Sequence, residues 1–154
     1  MFGLFAILIT ACTKDNRPLR KEVIKSPQAP AAIGPYSQAI KVGNTLYCSG
    51  QIAINPETGQ LVTGDIAAET KQVLENLGAV LREAGMDYSD VVQATVYMTE
   101  MENYGLINDI YAQYFKEMPP ARAAVQVARL PKNVHVEIAC IAVKAVMNSN
   151  VGVE

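Results

Sequence analysis

The chain contains no tryptophan, three phenylalanines and a single histidine among its 154 residues. A histidine-based triad or a polyhistidine metal site would therefore have to be built on His135 alone, and a solvated imidazole at a strand end is the simpler reading. Charge of one sign is also scarce: 13 Lys and Arg stand against 15 Asp and Glu, a net charge of −2, with the basic residues scattered. That excludes polyanion binding as the default, because nucleic-acid affinity rests on a concentrated basic footprint. No Walker or dinucleotide glycine pattern occurs, so phosphate cradling is not indicated. The three cysteines, Cys12, Cys48 and Cys140, lack zinc-ligand spacing. Cys48 and Cys140 sit singly in apolar strands and read as small hydrophobes, with a disulfide between them left open.

The one long uncharged run, "MFGLFAILITAC", is too short to span a bilayer and is followed by the polar "TKDNRPLRKEVIKS". Ile9-Thr10-Ala11-Cys12 has the form of a bacterial lipobox, although no Lys or Arg precedes the apolar run. The expectation is a lipoprotein signal segment at 1–12 with Cys12 lipidated, a polar tether at 13–26, one domain at 27–146 and a flexible tail at 147–154. The chain would then be held at the cell envelope by its lipid. The competing reading is an extension without function, which leaves a cytoplasmic protein.

From residue 27 the pattern is regular and half the chain is apolar, enough for one full core. "SQAIKV" and "TLYCSGQIAI" read as strands joined at Gly43-Asn44. "DIAAETKQVLENLGAVLREAG" repeats apolar residues at helical spacing from an Asp65 cap to a Gly85 stop. "DVVQATVYMT" is a strand, and "NYGLINDIYAQYF" a helix with Asn103 as its cap. "RAAVQVARL" and "VHVEIACIAVKAV" close the chain as strands. The order β-β-α-β-α-β-β gives an α+β fold, a mixed sheet with two helices on one face. The other face, expected to carry Ala124, Ala128, Ala139 and Ile141, then needs a cover from outside the chain, which argues for a homo-oligomer. The stripe Tyr104, Ile107, Tyr111 and Tyr114 reads as core.

Two charges stand among aliphatic neighbours: Arg122 after a proline pair, and Glu137 in mid-strand. Burying either alone would cost several kcal/mol. Two joint explanations stay open at this point. They pair at a subunit interface, or Arg122 holds a substrate carboxylate while Glu137 addresses a water or proton. Ser49 has no evident base to make it a nucleophile.

The stretches "APAAIGPYSQAI", "LYCSGQIAINPETG", "TVYMTEMENYGLINDIY" and "PPARAAVQVARLPKNVHVEIACIAVK" occur in order and together resemble the Rid (YjgF) family, in its reactive intermediate deaminase A branch. The resemblance runs from Ser26 to Lys144 and leaves out the N-terminal segment. It implies a chorismate-mutase-like α+β fold, a homotrimer with active sites at subunit interfaces, and no cofactor or metal. It further implies hydrolysis of 2-imino acids and their enamine tautomers, such as 2-iminopropanoate and 2-iminobutanoate, to 2-oxo acids and ammonia. By matching motif, Arg122 clamps the carboxylate and Glu137 handles the water. Tyr36, Ser49 and Asn108 line the same cleft. Ala124 stands where many members have cysteine, and the segment between Phe115 and Pro119 is a few residues short. The rival readings are a translation-inhibiting endoribonuclease and a non-catalytic, chaperone-like or ligand-binding trimer.

Overall fold

The computed structural model describes residues 20–145. The apolar run, Cys12, the first half of the expected tether and the C-terminal tail lie outside the described residues. So do the expectations attached to the lipid anchor. What is described is one six-stranded sheet, in the order β1-β2-β3-β6-β4-β5, with two helices on one face. Its strands are β1 (Lys21–Ile24), β2 (Ala39–Val42), β3 (Thr45–Gln51), β4 (Val91–Met98), β5 (Ala121–Gln126) and β6 (Val136–Val143). Helix α1 spans Ile66–Glu83 and α2 spans Tyr104–Tyr111.

Helix α1 begins where the sequence indicates. Asp65 is extended and its carboxylate accepts from the Ala67 amide at 3.0 Å, and Gly85 ends the helix at φ +72°. Val73, Leu74, Leu77, Val80 and Leu81 are fully buried against the sheet. At about 1.5–3 kcal/mol for each buried aliphatic side chain, this stripe is the main attachment of helix to sheet. Helix α2 is shorter than its spacing suggests: it ends at Tyr111, and Asn103 makes no side-chain cap bond. Ile107 and Tyr111 turn inward, Tyr111 stacking on Phe115 with ring centroids 4.3 Å apart.

The last strand is inserted between two earlier ones. β6 pairs antiparallel with both β3 and β4, while β4 and β5 run parallel around α2. Val136, Ile138, Cys140 and Ala142 therefore sit beneath the helices, and Glu137, Ala139, Ile141 and Val143 face the other way. Cys48 and Cys140 are direct cross-strand partners, both buried and both free thiols.

Three features differ from the sequence reading. A sixth strand, β1, lies within the stretch expected to be a tether and pairs residue by residue with β2. Its Lys21, Glu22 and Val23 are exposed and only Ile24 is buried, so an edge strand of this composition is indistinguishable from a linker by pattern. Second, Ala124 does not belong to the open face. Arg122 and Ala124 register with Ala94 and Val96 of β4, which are buried on the helix side, and Ala124 packs against the core. The open face is instead formed by Ala123, Val125, Tyr47, Tyr97, Ala139 and Ile141, with Tyr47 51% and Val125 41% exposed. Third, β5 ends at Gln126, so Ala128 is outside the strand altogether.

Candidate functional site

β3 carries a register shift between Cys48 and Gln51, where three residues on β3 span two on β6. A bulge of this kind re-aims a strand and opens a recess at its side. The recess is a cleft of about 480 Å³ lined by Tyr36, Ser49, Gly50, Ile52, Pro131 and Glu137, among others, a size suited to a small ligand. Gly50 is needed for it. A Cβ there would collide with the Glu137 carboxylate, 2.7 Å from its Cδ, so the glycine makes room for the acid to lie across β3. Burial holds the Glu137 carboxyl above the usual carboxylate range.

The two hydroxyls in the cleft have defined roles left open to a ligand. Ser49 donates through Oγ to the Ser37 carbonyl at 2.7 Å. Its proton is committed, which removes a nucleophilic role and leaves lone pairs to accept. Tyr36 Oη accepts from the Ile33 amide at 3.2 Å, so its own proton remains available to donate.

Three buried polar side chains, none of them picked out from the sequence, hold the walls. The Gln38 side chain accepts from the Ser26 amide at 2.6 Å and donates to the Ala29 and Pro30 carbonyls at 3.3 and 2.7 Å. It ties the loop before Tyr36 to β2. Asn76 of α1 donates from Nδ2 to the carbonyls of Ile52 and Ile54 at 3.0 and 2.9 Å, fixing the chain after the bulge. Glu69, 0% exposed, accepts from the His135 and Val136 amides at 2.5 and 2.9 Å and anchors the start of the strand that presents Glu137. His135 stands at the strand end with its side chain 42% exposed, and its Nδ1 also lies 3.0 Å from Glu69 Oε2. An isolated polar residue on an apolar helix face was the available signal for Glu69 and Asn76, but only the fold shows which backbone groups they meet.

Arg122 is elsewhere. It lies on edge strand β5 and points to the helix side, its guanidinium 4.6 Å from the Tyr111 ring centroid and 5.8 Å from that of Tyr104. One Nη2 hydrogen is donated to Tyr104 Oη at 3.3 Å. Asn108, on the same helix face, leaves its buried Oδ1 without a hydrogen-bond partner among the described residues. Burial raises Tyr111 to about 12, with the Arg122 charge opposing. The Tyr104 hydroxyl, by contrast, is held below the ordinary phenol range by Asn108 first and Arg122 second.

Of the five candidate side chains, Tyr36, Ser49 and Glu137 thus share one cleft, while Arg122 and Asn108 form a second group. Glu137 registers with Tyr97 and Arg122 with Ala94, residues of opposite parity on β4, so within one chain the two charges project from opposite faces of the sheet. The segment between Phe115 and Pro119 turns at Met118, whose φ is +47°. Among the described residues no three His, Cys, Asp or Glu side chains converge to hold a metal.

The family profile described as Endoribonuclease L-PSP matches residues 26–144. A RutC family protein of Pyrococcus abyssi is 52% identical over 126 residues, 82% of this chain and 99% of the relative. The 2-iminobutanoate/2-iminopropanoate deaminase of Mus musculus is 51% identical over 124 residues, 80% of this chain and 92% of the relative. The crystal structure of RidA from an Antarctic Psychrobacter superposes with a TM-score of 0.78 at 45% identity, covering 80% of this chain and 99% of that one.

Proposed function

Because the chain belongs to the Endoribonuclease L-PSP family, and to the part of it whose relatives at about half identity are named deaminases, we propose that it hydrolyses short 2-imino acids to 2-oxo acids and ammonia. The observation that carries the reading is the cleft in which a half-buried Glu137 lies beside Ser49 and Tyr36. Water adds to the imine carbon, its proton passes to the substrate nitrogen, and the carbon–nitrogen bond breaks to release ammonia and leave the carbonyl. Glu137 orients and deprotonates the water. Ser49 accepts an N–H of the imine and Tyr36 donates to the departing nitrogen, each through the capacity its existing bond leaves free. Arg122 binds the carboxylate.

Arg122 reaches that cleft from a second copy of the chain. Two features support a homotrimer with shared sites: the opposite parity of the two charges, and the exposed apolar sheet face around Tyr47 and Val125. Conjugated imines already react with water, so a site made of one acid, one cation and hydroxyls supplies a small part of the usual 8–23 kcal/mol of barrier lowering.

The test is complementation. Arg122→Ala and Glu137→Gln chains are each expected to lose most of their ammonia release from freshly generated 2-iminobutanoate. Mixed and reassembled in equal amounts, they should restore roughly one quarter of the native sites, those where an intact arginine meets an intact glutamate. No recovery from mixed oligomers would refute the shared site. The family description also names an endoribonuclease. The charge of −2 and scattered basic residues disfavour that activity, and an RNA cleavage assay with both variants separates the two.

No helix among the described residues is long and apolar enough to cross a membrane. Attachment to the envelope would fall to a lipid on Cys12, outside the matched span. A mass spectrum of detergent-extracted protein decides it, unmodified Met1 being the result that removes the anchor.

A further inference from the structure

We propose that Tyr104 is a second anchoring residue for the substrate, donating its phenolic proton to the carboxylate that Arg122 clamps. The inference rests on the deaminase reading of the site and adds a contact to it.

Hydrogen-bond capacity decides which partner the Tyr104 hydroxyl can take. A phenol oxygen carries one proton and accepts at its lone pairs. In Tyr104 the acceptor side is engaged, since Arg122 Nη2–H points at it from 3.3 Å. The Asn108 side chain stands one turn further along α2, and the two neighbours together hold the pKa of the phenol below its ordinary value. What remains is the O–H, on a ring 40% exposed, polarised by an adjacent cation. A donor in that setting selects an anion. A carboxylate presents two oxygens and can take a guanidinium N–H on one and the phenol O–H on the other.

The surroundings hold this pair in place. Tyr104, Asn108 and Tyr111 fall at i, i+4 and i+7 on α2 and so share a face. The guanidinium lies over the Tyr111 ring at 4.6 Å, which fixes the tilt of the fork while the Tyr104 bond fixes its rotation. Ile107 and Tyr111 from the same aromatic stripe turn into the core, and Tyr104 does not. Packing therefore accounts for Ile107, Tyr111 and Tyr114 and leaves Tyr104 free to meet a ligand.

The test uses Tyr104→Phe, which keeps the ring and removes only the hydroxyl. Kinetic constants are measured with freshly generated 2-iminobutanoate. Binding is measured separately with the product 2-oxobutanoate and with its uncharged amide, on assembled native, Tyr104→Phe and Arg122→Ala proteins. The expected result is a rise in KM of about tenfold with a much smaller change in kcat, since the contact is made before and during reaction alike. The affinity for 2-oxobutanoate should fall by a similar factor, and that for the amide should not. Equal 2-oxobutanoate binding by native protein and Tyr104→Phe overturns the inference. So does an equal loss for acid and amide, which would mark a general loosening of the cleft. If only Arg122→Ala loses affinity for the acid, the deaminase reading stands without Tyr104. If binding depends on Tyr104 but native protein does not speed imine hydrolysis, the deaminase reading fails and the carboxylate contact stands.

Discussion

The two halves of the candidate site are built by different means. The acid half, with Glu137, Ser49 and Tyr36, is set by buried polar side chains that grip the backbone: Gln38 under the loop, Asn76 behind the bulge, Glu69 at the root of β6. Each satisfies amides or carbonyls that would otherwise be buried unpaired, so the walls cannot shift without losing hydrogen bonds. The cation half has no such frame. Arg122 stands on an edge strand and is held by two tyrosine rings and one phenol oxygen near the surface. A group that performs proton transfer needs a fixed distance, whereas a clamp that must admit and release a carboxylate is served by contacts that tolerate small motions.

The sharpest way to break this comparison is to delete one charge from each half. Arg122→Ala should raise the barrier by about 2–5 kcal/mol, thirtyfold to several thousandfold in kcat/KM, while its denaturation midpoint stays near native. A large loss of stability in that variant would show the arginine to be structural. Arg122→Lys should recover only part of the rate, because a point charge lacks the planar fork.

Glu69→Ala probes the frame. It strips the acceptor from the His135 and Val136 amides and should cost about 2–4 kcal/mol of folding stability, read by urea denaturation. Activity at low temperature, where the chain is folded, should fall less than in Arg122→Ala. Gln38→Ala should cost less, about 1–3 kcal/mol, with a raised KM as the loop carrying Tyr36 loosens. An unchanged midpoint in either variant would mean that water replaces the side chain at no expense and that the wall is not rigid in the sense argued above.

The smallest effect is in pH. Glu137 must be ionised to act as base, and burial raises its folded pKa. The rate should therefore fall on acidification through a value above that of an ordinary carboxylate, and Glu137→Gln should abolish this limb together with the rate. The linked stability has the opposite sense: a raised folded pKa contributes stability that is complete below the unfolded value and is lost as pH rises through the folded one. If Arg122 of another copy faces Glu137, Arg122→Ala should move the Glu137 titration upward in the assembled protein, as followed by NMR of the carboxyl carbon. No movement would place the two charges in separate sites.

What could be read without coordinates follows from the period of each signal. The alternation of β6 identifies Glu137 as the polar member of an otherwise apolar face, and the α1 stripe, the Asp65 cap and the Gly85 stop are local patterns with local causes. Order of elements and fold class come from the same patterns, and separated motifs carry the family. β1 escaped because an exposed edge strand needs no apolar alternation. The face that carries Ala124 is not legible in the sequence, because one strand's alternation gives two faces and does not say which is covered. The chemistry of Arg122 and Glu137 was thus determined by residue type and position in the chain. Their separation across the sheet was decided by the insertion of β6 between β3 and β4, and the walls of the cleft by Gln38, Asn76 and Glu69 reaching partners 8 to 67 residues away. Periodicity reports which side of its own element a residue occupies; only tertiary packing brings a distant amide within 3 Å of a buried carboxylate, and that distance is what fixes the geometry of the site.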